Sequence, residues 1–112
     1  MQQLTGPELL QMHATEGAGF APVLLDVREP WEFALAPIHV GGLRTVHIPM
    51  GEVASRLTEL DPSHPVVCIC HHGTRSAQVV AFLAHQGFGS AYNLAGGCEA
   101  WSQQVDANVV RY

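Results

Sequence analysis

Short apolar runs alternate along the chain with segments whose apolar residues recur at helical spacing. The apolar runs are short enough for strands and cover residues 22–27, 44–48, 65–70 and 91–94. The remaining pattern predicts a helical turn at residues 29–33 and helices over residues 51–60, 76–85 and 99–103. Strands that alternate with helices predict an α/β fold with a largely parallel sheet and right-handed crossovers.

The amino-terminal segment carries the signals of a further helix. Thr5 is a predicted N-cap, Pro7 suits the first helical turn, and Glu8 follows Thr5 by three residues, as in a capping box. An apolar side follows until Gly17 and Gly19, where the helix is expected to end.

The run over residues 65–70 is apolar on both faces, which is typical of a central strand in a parallel sheet. Cys70 ends this run, and residues 71–74 predict a turn before the next helix. Ligand crevices in open α/β sheets lie beyond the carboxyl ends of the strands. We therefore expect Cys70 at the mouth of a functional site.

The residues after Cys70 favour a negative charge on its sulfur. Gly73 lets the backbone curl at low steric cost, and a curled loop turns N–H groups inward to form an anion-binding nest. The following helix points its free N–H groups and positive dipole end at the same place, and Arg75 adds a positive charge. This pattern predicts a reactive thiolate, although an ordinary buried strand cysteine is the alternative.

Composition narrows the classes of protein and partner. A chain of 112 residues, 47% hydrophobic and 13% charged, predicts a single globular domain over residues 1–112. The net charge is −5, and the five basic residues are scattered arginines, which argues against a nucleic-acid partner. No apolar run is long enough to span a membrane, and residues 1–11 do not resemble a secretory signal. Three cysteines, an odd number, suggest reduced thiols and a cytoplasmic location.

Four motifs carry a resemblance to a known family. They are Asp26-Val27-Arg28-Glu29, His47-Ile48-Pro49, the segment Cys70-His71-His72-Gly73-Thr74-Arg75-Ser76, and Asn93-Leu94-Ala95-Gly96-Gly97. In this order they resemble a single-domain rhodanese, a sulfurtransferase, over the chain from about Leu4 to about Trp101.

The resemblance implies a three-layer sandwich, with helices flanking a largely parallel sheet. It also implies that Cys70 takes sulfane sulfur from a donor such as thiosulfate, becomes a persulfide, and passes the sulfur to a thiol or cyanide. The acceptor thiol can belong to a small molecule or to a protein. The active-site loop would consist of His71, His72, Gly73, Thr74, Arg75 and Ser76, and no cofactor is expected.

Two other functions remain open at this stage. Phosphatases and arsenate reductases of the same fold place five residues between the cysteine and the arginine, whereas four separate Cys70 from Arg75. The smaller loop suits a sulfur atom better than a phosphate. A non-catalytic binding module is the other alternative, and the presence of Cys70 argues against it.

Asp26 and Arg28 are candidate supporting residues, because both follow a predicted strand at its ligand edge. They would orient the loop, or else form a surface ion pair of little energetic value. Arg75 could hold a carboxylate and fix the loop, and Arg28 or Arg75 would attract anionic donors. We expect His71 and His72 to act through their backbone N–H groups with side chains pointing outward, and acid–base work by an imidazole is the alternative.

The sequence leads to different expectations for Cys68 and Cys98. Cys68 is expected to be a buried core thiol. Cys98 would lie near Cys70 if the Gly96-Gly97 turn lies beside the loop, as a resolving thiol or as a buried residue. The Cys-x-Cys-His-His pattern lacks the second ligand pair of a zinc site, so we expect no metal. The aromatic residues Trp31, Phe33 and Trp101 are expected to pack rather than to bind substrate.

Overall fold

The computed structural model describes residues 2–112 and contains one five-stranded sheet. Its strands are β1 (Gln2–Leu4), β2 (Val23–Asp26), β3 (Thr45–His47), β4 (Val66–Ile69) and β5 (Ala91–Leu94). The order is β1-β5-β4-β2-β3, and every neighbouring pair is parallel. The α/β prediction is confirmed, and β4 is the central strand.

Four α-helices connect or follow the strands: α1 (Gly6–Glu16), α2 (Pro30–Leu35), α3 (Thr74–His85) and α4 (Gly97–Gln104). The predicted capping box begins α1, because Thr5 Oγ1 accepts from the N–H of Glu8 at 3.1 Å while the Thr5 N–H donates to Glu8 Oε1 at 2.9 Å. No helix within residues 2–112 is both long and apolar enough to cross a membrane.

The sheet is buried on both faces, which makes the fold three-layered. Successive residues of β2 point to opposite sides, so Leu24 packs into the core beneath α1 and α4 while Leu25 packs into the core beneath α3. In β4, Val67 likewise belongs to the first core, and Val66 and Cys68 belong to the second. The three-layer sandwich implied by the resemblance is therefore present.

One prediction of secondary structure was wrong, and one strand was not predicted. Residues 51–60 form no α-helix but contain parts of two short 3₁₀ turns, Met50–Glu52 and Leu57–Glu59. Val53 is the single fully buried residue of that segment, so a continuous apolar face that could hold a helix is missing. Strand β1 was not predicted, because three residues are too few to show a period.

Candidate active site

Cys70 directly follows the central strand β4, and its sulfur is held by the turn that follows. The backbone N–H of Gly73 donates to Cys70 Sγ at 3.0 Å. Gly73 has φ +101°, in the left-handed region where a side chain is strained, so glycine suits this turn. Cys70 lies at the carboxyl end of the central strand, and its side chain is only 1% exposed.

Helix α3 begins at Thr74, directly after the turn that contains Gly73. Its amino-terminal end therefore faces that turn. Its first N–H groups, those of Thr74, Arg75 and Ser76, have no carbonyl in a preceding helical turn to bond. Such groups and the helix dipole together favour an anion at this end. The turn and the start of α3 therefore place one N–H donor, that of Gly73, on the sulfur and a helix amino-terminus beside it.

Ser76 and Asn93 form a second set of contacts around the sulfur. Ser76 Oγ lies 3.2 Å from Cys70 Sγ and also donates to Asn93 Oδ1. Asn93 Nδ2 in turn donates to the Gly73 carbonyl at 3.0 Å. Because a hydroxyl has one hydrogen, Ser76 can accept from a Cys70 thiol while it donates to Asn93, or donate to a Cys70 thiolate.

The Gly96-Gly97 turn lies beside the loop, which meets the condition under which Cys98 was expected near Cys70. The N–H of Cys98 donates to the carbonyl of Cys70 at 2.9 Å, and the N–H of Glu99 donates to the carbonyl of His71 at 3.0 Å. The start of α4 therefore satisfies the carbonyls of the first two residues of this segment.

Asp26 and Arg28 form an ion pair that is fully buried, so the surface alternative is wrong. Arg28 Nη2 lies 2.6 Å from Asp26 Oδ2 and donates to the Ala36 carbonyl at 2.8 Å. Burial alone would lower the pKa of Arg28, but the hydrogen bonds and charge of Asp26 outweigh it and hold that pKa above its usual value. His47 Nε2 donates to the Arg28 carbonyl at 2.7 Å, which ties this strand end to β3.

Arg75 holds a carboxylate, as one of its two expected roles required, and the partner, which the sequence did not identify, is Glu32 of α2. Its Nη1 and Nη2 lie 2.6 and 2.8 Å from the two carboxylate oxygens, a bidentate geometry. The hydrogen bonds from Arg75 lower the pKa of Glu32 to about 2 despite burial. Arg28 and Arg75 are thus both paired with carboxylates, and neither offers the uncompensated charge that was expected to attract an anionic donor.

The His71 side chain does not point outward, contrary to expectation. Its ring stacks on that of His72 at 3.9 Å and on that of Tyr112 at 3.8 Å between centroids. Nε2 of His71 is covered and has no hydrogen-bond partner among residues 2–112. Burial lowers the pKa of His71, which favours the neutral imidazole. His72 is exposed, as expected.

All three cysteines are free and buried. Cys68 is a core thiol, as predicted, and burial raises its pKa to about 12. Cys98 lies beneath the loop, with its sulfur 3.4 Å from Arg28 Nη1 and 3.7 Å from the Tyr112 hydroxyl. Burial raises the pKa of Cys98 as well. No cluster of three or more His, Cys, Asp or Glu side chains within residues 2–112 could hold a metal ion.

The aromatic residues differ in their surroundings. Trp101 is 3% exposed and packs in the core as predicted, whereas Trp31 is 63% exposed and packs edge-on against the ring of Tyr112. Phe33 stacks on His47, with 4.6 Å between the ring centroids.

Three residues that contact the site had no predicted role in it. Asn93 belonged to one of the motifs of the resemblance but was not assigned to the site. No sequence signal pointed to Glu32 or Tyr112.

Comparison with known proteins identifies the family. A model of the rhodanese-like domain matches residues 6–104. The chain is 36% identical to the thiosulfate sulfurtransferase GlpE of Ectopseudomonas mendocina over 95 residues, which cover 85% of this chain and 80% of that protein. It is 34% identical to the thiosulfate sulfurtransferase GlpE of Pseudomonas putida over 104 residues, which cover 93% of this chain and 87% of that protein.

The solved structures agree with the relatives. A rhodanese-related protein from Thermoplasma volcanium superimposes with a TM-score of 0.77 at 26% identity and full coverage of both chains. The human single-domain sulfurtransferase TSTD1 gives a TM-score of 0.71 at 25% identity, with 93% of this chain and 97% of that one covered. The chain therefore belongs to the rhodanese-like family and is a sulfurtransferase.

Proposed function

We propose that Cys70 is the nucleophile of this enzyme and carries sulfane sulfur as a persulfide. The observation that carries the proposal is the hydrogen bond from the Gly73 N–H to Cys70 Sγ, 3.0 Å long, at the carboxyl end of the central strand. This contact and the amino-terminal end of α3 favour negative charge on that sulfur.

The reaction proceeds in two displacements. The Cys70 thiolate attacks the outer sulfur of thiosulfate, the bond between the two thiosulfate sulfurs breaks, and sulfite leaves with the bonding electron pair. The terminal sulfur of the persulfide is then attacked by cyanide or by a thiolate, and the Cys70 thiolate leaves. Each new bond takes its electrons from the attacking group, so the cycle needs no redox cofactor and predicts ping-pong kinetics.

The loop residues have distinct roles in this scheme. The N–H groups of Gly73, Thr74, Arg75 and Ser76 stabilise the charge on the thiolate and on the persulfide. His71 and His72 contribute their backbone to the same loop. Asp26, the last residue of β2, and Arg28, which follows the strand, support the site through the buried ion pair. A protein thiol serves as acceptor as well as a small-molecule thiol, and the three free thiols fit a reducing cytoplasm.

The first experiment measures the intact mass of the protein after incubation with thiosulfate, and separately with a persulfide donor. We expect a gain of one sulfur atom, its loss with release of thiocyanate upon addition of cyanide, and neither in Cys70→Ser. Cys98→Ser is the matched control and should still gain the sulfur. A wild-type protein that gains no sulfur from either donor contradicts the proposal.

Replacement of Cys70 also separates the alternative functions. A phosphatase of this fold would hydrolyse an aryl phosphate in a manner that depends on Cys70. A binding module would behave identically with Cys70→Ala. The four residues between Cys70 and Arg75 favour sulfur over phosphate, so we expect no phosphatase turnover.

A further inference from the structure

Tyr112 lies outside the residues that match the family model, yet it contacts the candidate active site. The segment after α4 turns back along that helix, because Ser102 Oγ donates to the Val109 carbonyl at 2.7 Å and the Val109 side chain is buried. Arg111 then forms an ion pair with Glu99 at 2.6 Å. These contacts bring Tyr112 to the side of the loop formed by His71.

The hydroxyl of Tyr112 joins the two ion pairs of the site. It donates to Glu32 Oε2 at 2.8 Å and accepts from Arg28 Nη1 at 3.2 Å. A continuous polar chain therefore runs from Asp26 through Arg28, Tyr112 and Glu32 to Arg75, which lies in the first turn of α3.

The ring of Tyr112 has a separate contact. It lies nearly parallel to the His71 ring, at an interplanar angle of 13° and a centroid distance of 3.8 Å. The Trp31 ring contacts the Tyr112 ring edge-on, with 5.7 Å between the ring centroids. His71 directly follows Cys70, so the stack fixes the side chain at the start of the sulfur-binding turn.

We propose that Tyr112 is a positioning residue of the sulfur-transfer site, which holds His71 with its ring and holds Arg75 through Glu32 with its hydroxyl. This inference rests on the proposed function of Cys70. Two independent restraints act on one loop, one on its first residue and one on the helix start that follows. Loss of either restraint lets the loop N–H groups move off the sulfur, and small displacements of such groups are costly in rate.

The pKa of His71 provides a measure of its contact with Tyr112 that does not depend on catalytic activity. The side chains that face it are His72 on its own loop, Arg75 of α3, Glu32 of α2, Glu99 of α4, and Tyr112. Burial and the positive charges of the neighbouring His72 and Arg75 lower the pKa of His71, while the two carboxylates raise it. Removal of the Tyr112 ring exposes the imidazole and should raise that pKa.

The test compares three variants by steady-state kinetics and by NMR titration of the histidine ring protons. Tyr112→Leu removes the ring and the hydroxyl, so we expect kcat/KM for thiosulfate to fall about tenfold, mainly through kcat, and the His71 titration to move to higher pH. Tyr112→Phe keeps the stack, so kcat/KM should fall severalfold while the His71 titration stays near that of the wild type. Tyr92→Phe removes a hydroxyl from β5, away from the loop, and should change neither.

The outcomes separate this inference from the function on which it rests. A wild-type protein that gains no sulfur overturns both. A wild-type protein that gains sulfur overturns the inference alone if Tyr112→Leu, corrected for its folded fraction by circular dichroism, keeps the wild-type rate within about twofold. An unchanged His71 titration in Tyr112→Leu likewise overturns it.

Discussion

Gly97 lies so close to the carbonyl oxygen of Cys70 that a Cβ on Gly97 would approach that oxygen to 2.4 Å. The same Cβ would lie 2.4 Å from the carbonyl oxygen of His71. The start of α4 thus packs backbone against backbone on the loop, and the N–H groups of Cys98 and Glu99 can reach the two carbonyls. The glycine allows the contact that holds the loop from behind.

Replacement of Gly97 by alanine should therefore displace the loop. The clash is with backbone, and φ is +62°, so the variant also carries backbone strain. We expect a loss of about 1–3 kcal/mol in the free energy of unfolding and a large loss of sulfur transfer. Denaturant unfolding and persulfide formation measure the two effects. Gly89→Ala is the matched control, because a Cβ there meets nothing within 4 Å. Equal behaviour of the two variants would contradict the close contact.

Replacement of Ser76 by alanine removes a side-chain hydrogen-bond donor next to Cys70 Sγ, at 3.2 Å. It also leaves Asn93 Oδ1 without the Ser76 donor. The thiolate and the persulfide lose a stabilising contact, so persulfide formation should slow by about tenfold. Stopped-flow measurement of sulfite release gives the rate directly. Ser55→Ala, at an exposed hydroxyl, should match the wild type. An unchanged rate in Ser76→Ala would show that the loop N–H groups suffice.

The sequence predicted those parts of the site that are formed by neighbours along the chain. The end of β4, the turn at Gly73 and the start of α3 are contiguous, so apolar runs and a glycine locate them. Glu32 and Arg75 are 43 residues apart, and nothing in the sequence indicates which of ten acidic residues meets that arginine. Tyr112 reaches Glu32 across 80 residues by the path of the segment after α4, which has no periodic signal.

The burial of individual side chains could not be predicted from the local sequence pattern either. Asp26 and Arg28 have the spacing of an exposed pair at a strand end, yet α2, β3 and the segment up to Ala36 cover them completely. His71 was expected outside because loop side chains usually are. A residue far along the chain supplies the ring that covers it, so tertiary packing decides its exposure.

The buried ion pair makes Asp26 a sensitive position. Asp26→Asn leaves the Arg28 guanidinium buried without its carboxylate, so we expect a loss of about 3–5 kcal/mol in the free energy of unfolding. The exposed pair Arg56–Glu52 provides the comparison, and Glu52→Gln should cost less than about 1 kcal/mol. Urea unfolding at neutral pH measures both. Similar costs for the two variants would mean that Asp26 and Arg28 are hydrated in solution.

The Glu32–Arg75 pair predicts how stability depends on pH. The pKa of Glu32 is lowered from 4.5 to about 2 in the folded protein, first by the hydrogen bonds from Arg75. A lowered pKa stabilises the folded state above pH 4.5, and this contribution is lost as the pH falls from 4.5 toward 2. Glu32→Gln should therefore be less stable than the wild type at neutral pH, and the difference should shrink across that acidic range. Because the other carboxylates are common to both proteins, their titration cancels in the difference. Urea unfolding of both proteins at a series of pH values measures it, and a difference that stays constant down to pH 2 would mean that Glu32 carries no stabilising charge.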